Sequence, residues 1–182
     1  VKCPGVPGRR PPEKGPFLPF KTTPDNDVQG FLPIGGKVLV RQTSSTHGTD
    51  GYITTDPEEI AAMRSRLSRK IMAHRDRLSF GDADIAPEAD TLILAYGVTA
   101  RAARAAVREL RAEGKPVSLL ILKTLWPVPE RLIREHTRNA KQVLVIEMNL
   151  GQYVREIQRI ITDRPVEFLG RMDGQLITPS QI

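Results

Sequence analysis

The chain has 182 residues, a length that suits one domain or one domain with a sizeable extension. Its formal net charge is +6, and it contains 40% hydrophobic and 5% aromatic residues. Cys3 is the single cysteine, which excludes a disulfide framework and a cysteine-ligated metal or cluster within this chain, and the scarcity of aromatic residues argues against stacking platforms for single-stranded nucleic acid. No apolar run approaches the roughly 20 residues that span a bilayer, and residues 1–16 lack the apolar core of a signal peptide, so we expect a cytoplasmic protein with no membrane partner.

Residues 1–55 are predicted to form an extended proline-rich connector. Eight of the fifteen prolines fall between Pro4 and Pro33, and no period of 2 or 3.6 persists in this part. We expect residues 1–35 to lack extended regular structure, and at most one short strand at KVLVRQT (37–43). Because the first residue is Val1 rather than Met, we expect a processed chain or a fragment, with the connector wrapping a partner or belonging to a larger protein.

Residues 56–80 are predicted to form an amphipathic linker helix. Asp56 is a good N-cap, Pro57 suits the first helical position, and the two glutamates that follow favour the positive end of the helix dipole. The spacing favours a helix that packs on a neighbouring domain over a basic helix laid on an anionic ligand, and His74 is interpreted as a packing residue rather than a metal ligand. The predicted apolar stripe contains Ile60, Met63, Leu67, Ile71, His74 and Leu78.

From Asp90 onward, apolar strands alternate regularly with helices. The predicted strands are TLILAYG, KPVSLLILKT, KQVLVIEMN and PVEFLGR, and a helix follows each of the first three. Near-continuous apolar strands that alternate with helices indicate a parallel sheet covered on both faces. The sequence therefore predicts a three-layer α/β/α domain over residues 85–182, with a mostly parallel sheet of at least four strands.

Three turns are expected at the edge of this sheet where the strands end, which is where ligands gather in open α/β folds. None contains a dinucleotide fingerprint or a phosphate loop, and no Ser-His-Asp, Cys-His or paired-carboxylate arrangement can be assembled there. We therefore expect no catalytic, cofactor-binding or metal-binding residue in this chain. The candidates for an interface or for the edge of an active site are Gly97, Thr99, Trp126, Glu147, Asn149, Gly151 and Gln152.

Two of these turns allow alternative interpretations. Trp126 is interpreted as a packing anchor rather than a surface on which a substrate stacks. Glu147, with Asn149 and Gln152, is either a general acid or base with two orienting amides, or a polar group that caps the next helix and contacts another chain. That helix is expected to begin at Gly151. We expect these side chains to face an interface, so that Glu147→Ala and Gln152→Ala change stability by only ~0.5 kcal/mol.

Several motifs together resemble one known family. They are YG with Thr99, LWP with Pro129, EMNLGQ, the tail GRMDGQLITPSQI and the linker HGTDGYITTDPEEIAAMRSR. Over roughly residues 40–182 the chain resembles the C-terminal, transketolase-C-like part of the alpha subunit of 2-oxoacid:ferredoxin oxidoreductases. In that family's linker a carboxylate flanks the histidine more closely than Asp50 flanks His47 here, so the resemblance assigns no role to His47.

The resemblance implies a thiamine-diphosphate enzyme that oxidatively decarboxylates a 2-oxoacid, forms an acyl-CoA and reduces ferredoxin through an iron–sulfur cluster. On the resemblance, 2-oxoglutarate is preferred as substrate over branched-chain acids and pyruvate. The chain lacks a Gly-Asp-Gly motif for Mg²⁺-diphosphate and a cysteine set for a cluster, and the family implies that a beta subunit supplies them. Domain and subunit docking is then the expected role of this chain, which alone should be inactive and bind no thiamine diphosphate.

Two other classes of function remain open on the sequence. One is a free-standing α/β module that binds an anionic metabolite, and the other is a basic nucleic-acid-binding domain, suggested only by the charge. The basic residues are scattered, which favours a solvated surface over an anion-binding one, so we expect no nucleic acid partner.

Overall fold

The computed structural model describes residues 16–22, 32, 35–41 and 43–182. The expected lack of regular structure over residues 1–35 therefore concerns positions that lie mostly outside the described residues. At most one short strand was expected over 37–43, and none of the described positions of that range lies in a strand. Val38 and Leu39 are exposed there, so this apolar run has no sheet against which to bury.

The chain divides into two compact units, Val1–Ala73 and His74–Ile182. The first contains α1, Pro57–Met72, whose first turn is capped by the Asp56 carboxylate, as predicted. The helix is shorter than the predicted 56–80, because the backbone of His74 is not helical (φ −112°, ψ 12°) and a 3₁₀ turn follows. His74 is exposed, so it does not act as a packing residue within this chain.

The second unit is an α/β domain with a five-stranded sheet in the order β1-β3-β2-β4-β5. The four longer strands are parallel, and β1 is antiparallel to β3. This architecture confirms the predicted α/β class with a mostly parallel sheet. The elements are β1 Gly81–Asp84, β2 Thr91–Tyr96, α2 Thr99–Ala112, β3 Val117–Leu122, α3 Glu130–Thr137, β4 Gln142–Glu147, α4 Val154–Ile160 and β5 Val166–Gly170.

Apolar residues cover both faces of the sheet and form two cores. Successive residues of β2 alternate between them, since Leu92 and Leu94 pack with α3 and α4, whereas Ile93 and Ala95 pack with α2. Ile177, in the segment after β5, joins the second core. This two-sided burial explains why the strands are apolar throughout instead of alternating. No helix in the described part of the chain is long and apolar enough to cross a membrane.

The order of the strands creates one place where the chain reverses direction across the sheet. From β2 the chain continues to β3 on one side, and then returns to β4 on the other side of β2. The carboxyl ends of β2 and β4 flank this switch point, which is the usual position of ligand crevices in open α/β sheets. We call the edge formed by the carboxyl ends of β2 to β5 the carboxyl edge.

Candidate functional site

The last residues of β2 and β4 meet at the switch point. The hydroxyl of Tyr96, at the end of β2, donates a hydrogen bond to Oε2 of Glu147, at the end of β4, over 2.7 Å. The two strands are parallel neighbours in register, with Ala95 opposite Ile146. The pairing of these strands therefore brings together two side chains that are 51 positions apart in sequence.

The carboxylate of Glu147 is fully buried and accepts four hydrogen bonds. Besides Tyr96, the side-chain amide of Asn149 donates to it over 2.8 Å. The backbone N–H groups of Tyr153 and Val154 donate over 2.9 and 2.6 Å. These two groups belong to the start of α4, where the helix dipole also favours a negative charge.

Asn149 holds the rest of the loop between β4 and α4. Its Oδ1 accepts hydrogen bonds from the backbone N–H groups of Gly151 and Gln152, over 2.8 and 2.9 Å. Its amide also donates to the Tyr96 hydroxyl over 3.0 Å. The expectation that the helix begins at Gly151 is wrong, because α4 begins at Val154. The N–H groups of Gly151 and Gln152 lie in the loop before the helix, where Asn149 accepts their hydrogen bonds.

The expectation that Glu147 faces an interface is also corrected. Its side chain is enclosed in its own unit, where the carboxylate has the donors that a buried charge requires. The bonds to the start of α4 show that this residue caps the next helix, as one part of the alternative interpretation held, while the contact with another chain in that interpretation stays a prediction. Both of its oxygens accept hydrogen bonds from groups of the same unit.

Two further predicted residues lie in the turn after β2. Thr99 is buried, and its hydroxyl lies 2.8 Å from the carbonyl oxygen of Tyr96 and 3.2 Å from that of Ile146, so it links β2 with β4. Gly97 precedes it in an exposed turn with a φ of 57°, a conformation that glycine adopts without steric cost. The structure thus places Thr99, Glu147, Asn149 and Gly151 in one network, while Gly97 and Gln152 lie on its surface.

Sequence reasoning missed two tyrosines of this network. The rings of Tyr96 and Tyr153 are 5.4 Å apart in an edge-to-face arrangement, and the Tyr153 hydroxyl donates to the carbonyl of Leu125. Burial, together with the hydrogen bond to Glu147, raises the pKa of Tyr96 to about 12. Burial and then the charge of Glu156 raise the pKa of Tyr153. The sequence feature that could have indicated Tyr96 as a member of the network is its position at the end of a buried strand.

The loops at the carboxyl edge expose apolar side chains to solvent. Trp126 is 64% exposed and Leu150 is 73% exposed. The interpretation of Trp126 as a packing anchor is therefore wrong within this chain, because its loop turns the indole outward. Each loop that follows β2, β3, β4 or β5 contributes to this exposed apolar set, which we call the rim: Val98, Leu125, Trp126, Leu150 and Met172.

A family model described as pyruvate:ferredoxin oxidoreductase core domain II matches residues 89–182, more than half of the chain. The chain belongs to this family. The match covers the switch point and every loop of the carboxyl edge. It confirms the resemblance to 2-oxoacid:ferredoxin oxidoreductases on which the sequence analysis relied.

Relatives extend the similarity upstream of that match. The chain is 33% identical to 2-oxoglutarate synthase subunit KorA of Methanothermobacter thermautotrophicus over 174 residues, and 35% identical to KorA of Methanothermobacter marburgensis over 170 residues. These alignments cover 94% and 92% of this chain, but only 46% and 45% of the relatives. The chain therefore spans about half the length of the curated relatives it matches.

A solved structure agrees with the fold and with the family. It is described as 2-oxoglutarate:ferredoxin oxidoreductase from Magnetococcus marinus with 2-oxoglutarate, coenzyme A and succinyl-CoA bound. The similarity has a TM-score of 0.74 at 25% identity and covers 94% of this chain and 30% of that one. The relatives are thus subunits of 2-oxoacid:ferredoxin oxidoreductases, and the structural match supports the predicted α/β class.

The described residues offer no ligand set for the metal ion or the iron–sulfur cluster that the family implies. Among the described residues, no group of three or more His, Cys, Asp or Glu side chains could hold a metal ion. The sequence offers one cysteine, whereas common iron–sulfur clusters require several thiolate ligands. The carboxylate nearest the switch point is Glu147, and it is engaged by four donors of its own unit.

Proposed function

We propose that the chain forms part of the alpha subunit of a thiamine-diphosphate-dependent 2-oxoglutarate:ferredoxin oxidoreductase and serves domain and subunit docking within it. Such an enzyme oxidatively decarboxylates its 2-oxoacid to an acyl-CoA. The family match and the names of the two KorA relatives support this proposal, and those names favour 2-oxoglutarate as the substrate.

The rim is the observation that carries the docking role. Four consecutive loops at one edge of the sheet expose apolar side chains, whereas the polar groups beneath them are bound to one another. An exposed apolar set with a satisfied polar layer below it is suited to contact with another protein surface, and it offers little for chemistry on a small molecule.

The proposed partners follow from the same assignment. A beta subunit of the same enzyme would supply the ligands for thiamine diphosphate, Mg²⁺ and the iron–sulfur cluster, which the donor set of this chain does not fit. Coenzyme A and ferredoxin would be substrates of the complete enzyme. We propose a cytoplasmic location for it. The assignment of residues 1–55 to a connector and of residues 85–182 to the transketolase-C-like domain remains part of the proposal.

Purification of the full-length gene product together with its partner subunit tests this function. We expect viologen reduction that requires both 2-oxoglutarate and coenzyme A, and that is faster with 2-oxoglutarate than with pyruvate or 2-oxoisovalerate. The 182-residue chain alone should show no activity and no calorimetric binding of thiamine diphosphate with Mg²⁺. Micromolar cofactor binding by this chain, or an assembled enzyme that prefers another 2-oxoacid, would refute the corresponding part of the proposal.

A further inference from the structure

The first unit contains a cavity of about 410 Å³ that the docking role does not use. This volume lies within the range of small-molecule sites. One wall is a face of α1, and the other combines Phe20 and Thr22 with the turn His47–Thr49. The lining residues that the structure describes all belong to the unit Val1–Ala73.

The wall from α1 combines an apolar surface with two opposite charges. Its members recur at helical spacing, so they share one face: Glu59, Ala62, Met63, Arg66 and Leu67. Among the described residues, Arg66 has neither an ion pair nor a hydrogen bond through its side chain. Arg66 and Glu59 both line the cavity and lie about two helical turns apart on this face. The cavity therefore contains a cation and an anion above an apolar surface.

The opposite wall holds His47 in a defined orientation. Its Nδ1 lies 2.8 Å from the carbonyl oxygen of Ser45, which only accepts, so Nδ1 carries the proton and Nε2 of the neutral ring is an acceptor. The ring of Phe20 packs on the imidazole, with centroids 3.7 Å apart. The backbone N–H of Phe20 donates to the carbonyl of Thr49, and this bond fixes the two segments to each other.

Gly48 lies close to the side chain of Glu59. A Cβ at this position would lie 3.4 Å from a carboxylate oxygen of Glu59. The Glu59 carboxylate therefore lies beside the turn that carries His47. The cavity lining thus combines two acceptor groups, the Glu59 carboxylate and the imidazole of His47, with the guanidinium of Arg66.

We propose that this cavity binds a small zwitterion with an apolar side chain, of the α-amino-acid class. The ligand's carboxylate pairs with Arg66, because guanidinium groups bind carboxylates through two parallel hydrogen bonds. The ammonium group donates to Glu59 and to Nε2 of His47. The apolar side chain packs on Met63 and Leu67. This inference does not depend on the proposed docking function.

The test uses the whole chain and three probes that share one apolar body: L-phenylalanine, 3-phenylpropionate without the ammonium group, and 2-phenylethylamine without the carboxylate. The methyl signal of Met63 in methionine-labelled protein, assigned with Met63→Leu, reports binding. We expect L-phenylalanine to shift this signal saturably. Each analogue should bind at least about tenfold more weakly, because it loses charge-assisted hydrogen bonds.

Matched variants on the same helix identify which residue binds the carboxylate of the ligand and which binds its ammonium group. Arg66→Gln should weaken L-phenylalanine binding about tenfold and leave 2-phenylethylamine unaffected, whereas Glu59→Gln should weaken both and spare 3-phenylpropionate. Arg69→Gln and Glu58→Gln, whose side chains do not line the cavity, are the controls, and circular dichroism checks the fold of each variant. The proposal is overturned if no saturable shift occurs up to about 10 mM, if an analogue binds as well as L-phenylalanine, or if the controls match the test variants.

Discussion

A buried carboxylate is stable only when donors replace the water that it has lost, and Glu147 has four. The sequence showed that polar residues follow the strand at this point, and from them helix capping by Glu147 could be predicted. It could not show that Tyr96 lies opposite, because only the pairing of β2 with β4 brings that hydroxyl within 2.7 Å. The burial of Glu147 was missed for this reason.

Replacement of Glu147 should therefore destabilise the domain, in contrast to the sequence-based expectation. Glu147→Ala leaves the N–H groups of Tyr153 and Val154 buried without an acceptor, and we expect the free energy of unfolding to fall by about 3 kcal/mol or more. Glu147→Gln keeps one acceptor oxygen and should cost less. Denaturant unfolding followed by circular dichroism measures both. The exposed Glu109, replaced by Gln, is the control and should stay within about 0.5 kcal/mol of the wild type. An equally small effect at Glu147 would contradict the capping role.

The raised pKa of Tyr96 predicts a loss of stability in alkali. Its pKa is about 12 in the folded protein and 10.0 as a free side chain, because burial and the Glu147 carboxylate disfavour the ionised form. The stabilising contribution is complete below about pH 10 and is lost as the pH rises through about 12. Denaturant unfolding over this range should therefore show a steeper decline for the wild type than for Tyr96→Phe. Parallel declines would mean that the hydroxyl ionises as freely in the folded protein as in the unfolded one.

At the scale of elements, burial on two faces made strands β2 to β4 predictable, and a short apolar run indicated β5 at the edge of the sheet, whereas β1 was missed. The sequence of β1, GDAD, has neither apolar alternation nor β-branched residues. Its place on β3 is supported by ion pairs, in which Asp82 contacts Lys123 and Arg104. These cations also lower the pKa of Asp82, mainly through the hydrogen bond from Lys123. Because both partners come from later elements, no local pattern could indicate this strand.

Arg111 is the residue of α2 that connects three elements, and its replacement should loosen β1. Its guanidinium donates to the carbonyl of Val117, at the start of β3, over 2.7 and 2.9 Å, and to the Asp84 carboxylate of β1 over 2.9 Å. Lysine cannot reproduce this fork of donors. We expect Arg111→Lys to lower the free energy of unfolding by about 1–2 kcal/mol and to speed amide hydrogen exchange in β1.

Arg108 on the same helix provides the control for this prediction. It is exposed, and the described residues include no partner for its side chain. Arg108→Lys should therefore leave both the stability and the exchange rates unchanged. If the two variants behaved alike, the bonds from Arg111 would contribute nothing to the position of β1.

At the scale of the whole molecule, the question is why a domain with a complete core exposes apolar side chains along one edge. The sequence located the turns at this edge but not their exposure, because an apolar residue in a turn can face inward or outward. Trp126 shows the difference, since the sequence suggested packing and the structure exposes it. A folded domain gains nothing from such exposure by itself, and on this ground we propose that another protein covers the rim in the complete enzyme.

The rim predicts a specific defect in the assembled oxidoreductase. Removing a side chain that becomes buried on docking costs roughly 1.5–3 kcal/mol, about tenfold or more in affinity. Leu150→Ser and Met172→Ser should each leave the stability of the isolated chain within about 0.5 kcal/mol, because both side chains are exposed there. In the complete enzyme, each should raise the protein concentration at which subunits dissociate about tenfold, measured by mass photometry alongside viologen reduction.

Ile85→Ser is the control that distinguishes an effect of the rim from a general effect of removing an exposed apolar side chain. It follows β1 at the opposite edge of the sheet, where Asp84 pairs with Leu119 near the start of β3, and it is also exposed. Ile85→Ser therefore removes a comparable side chain from a surface outside the rim, and assembly should be unchanged. If Ile85→Ser weakened assembly as much as Leu150→Ser, the carboxyl edge would have no special part in docking. If neither changed assembly, the rim would not be the covered surface, and the partner would have to contact the chain elsewhere.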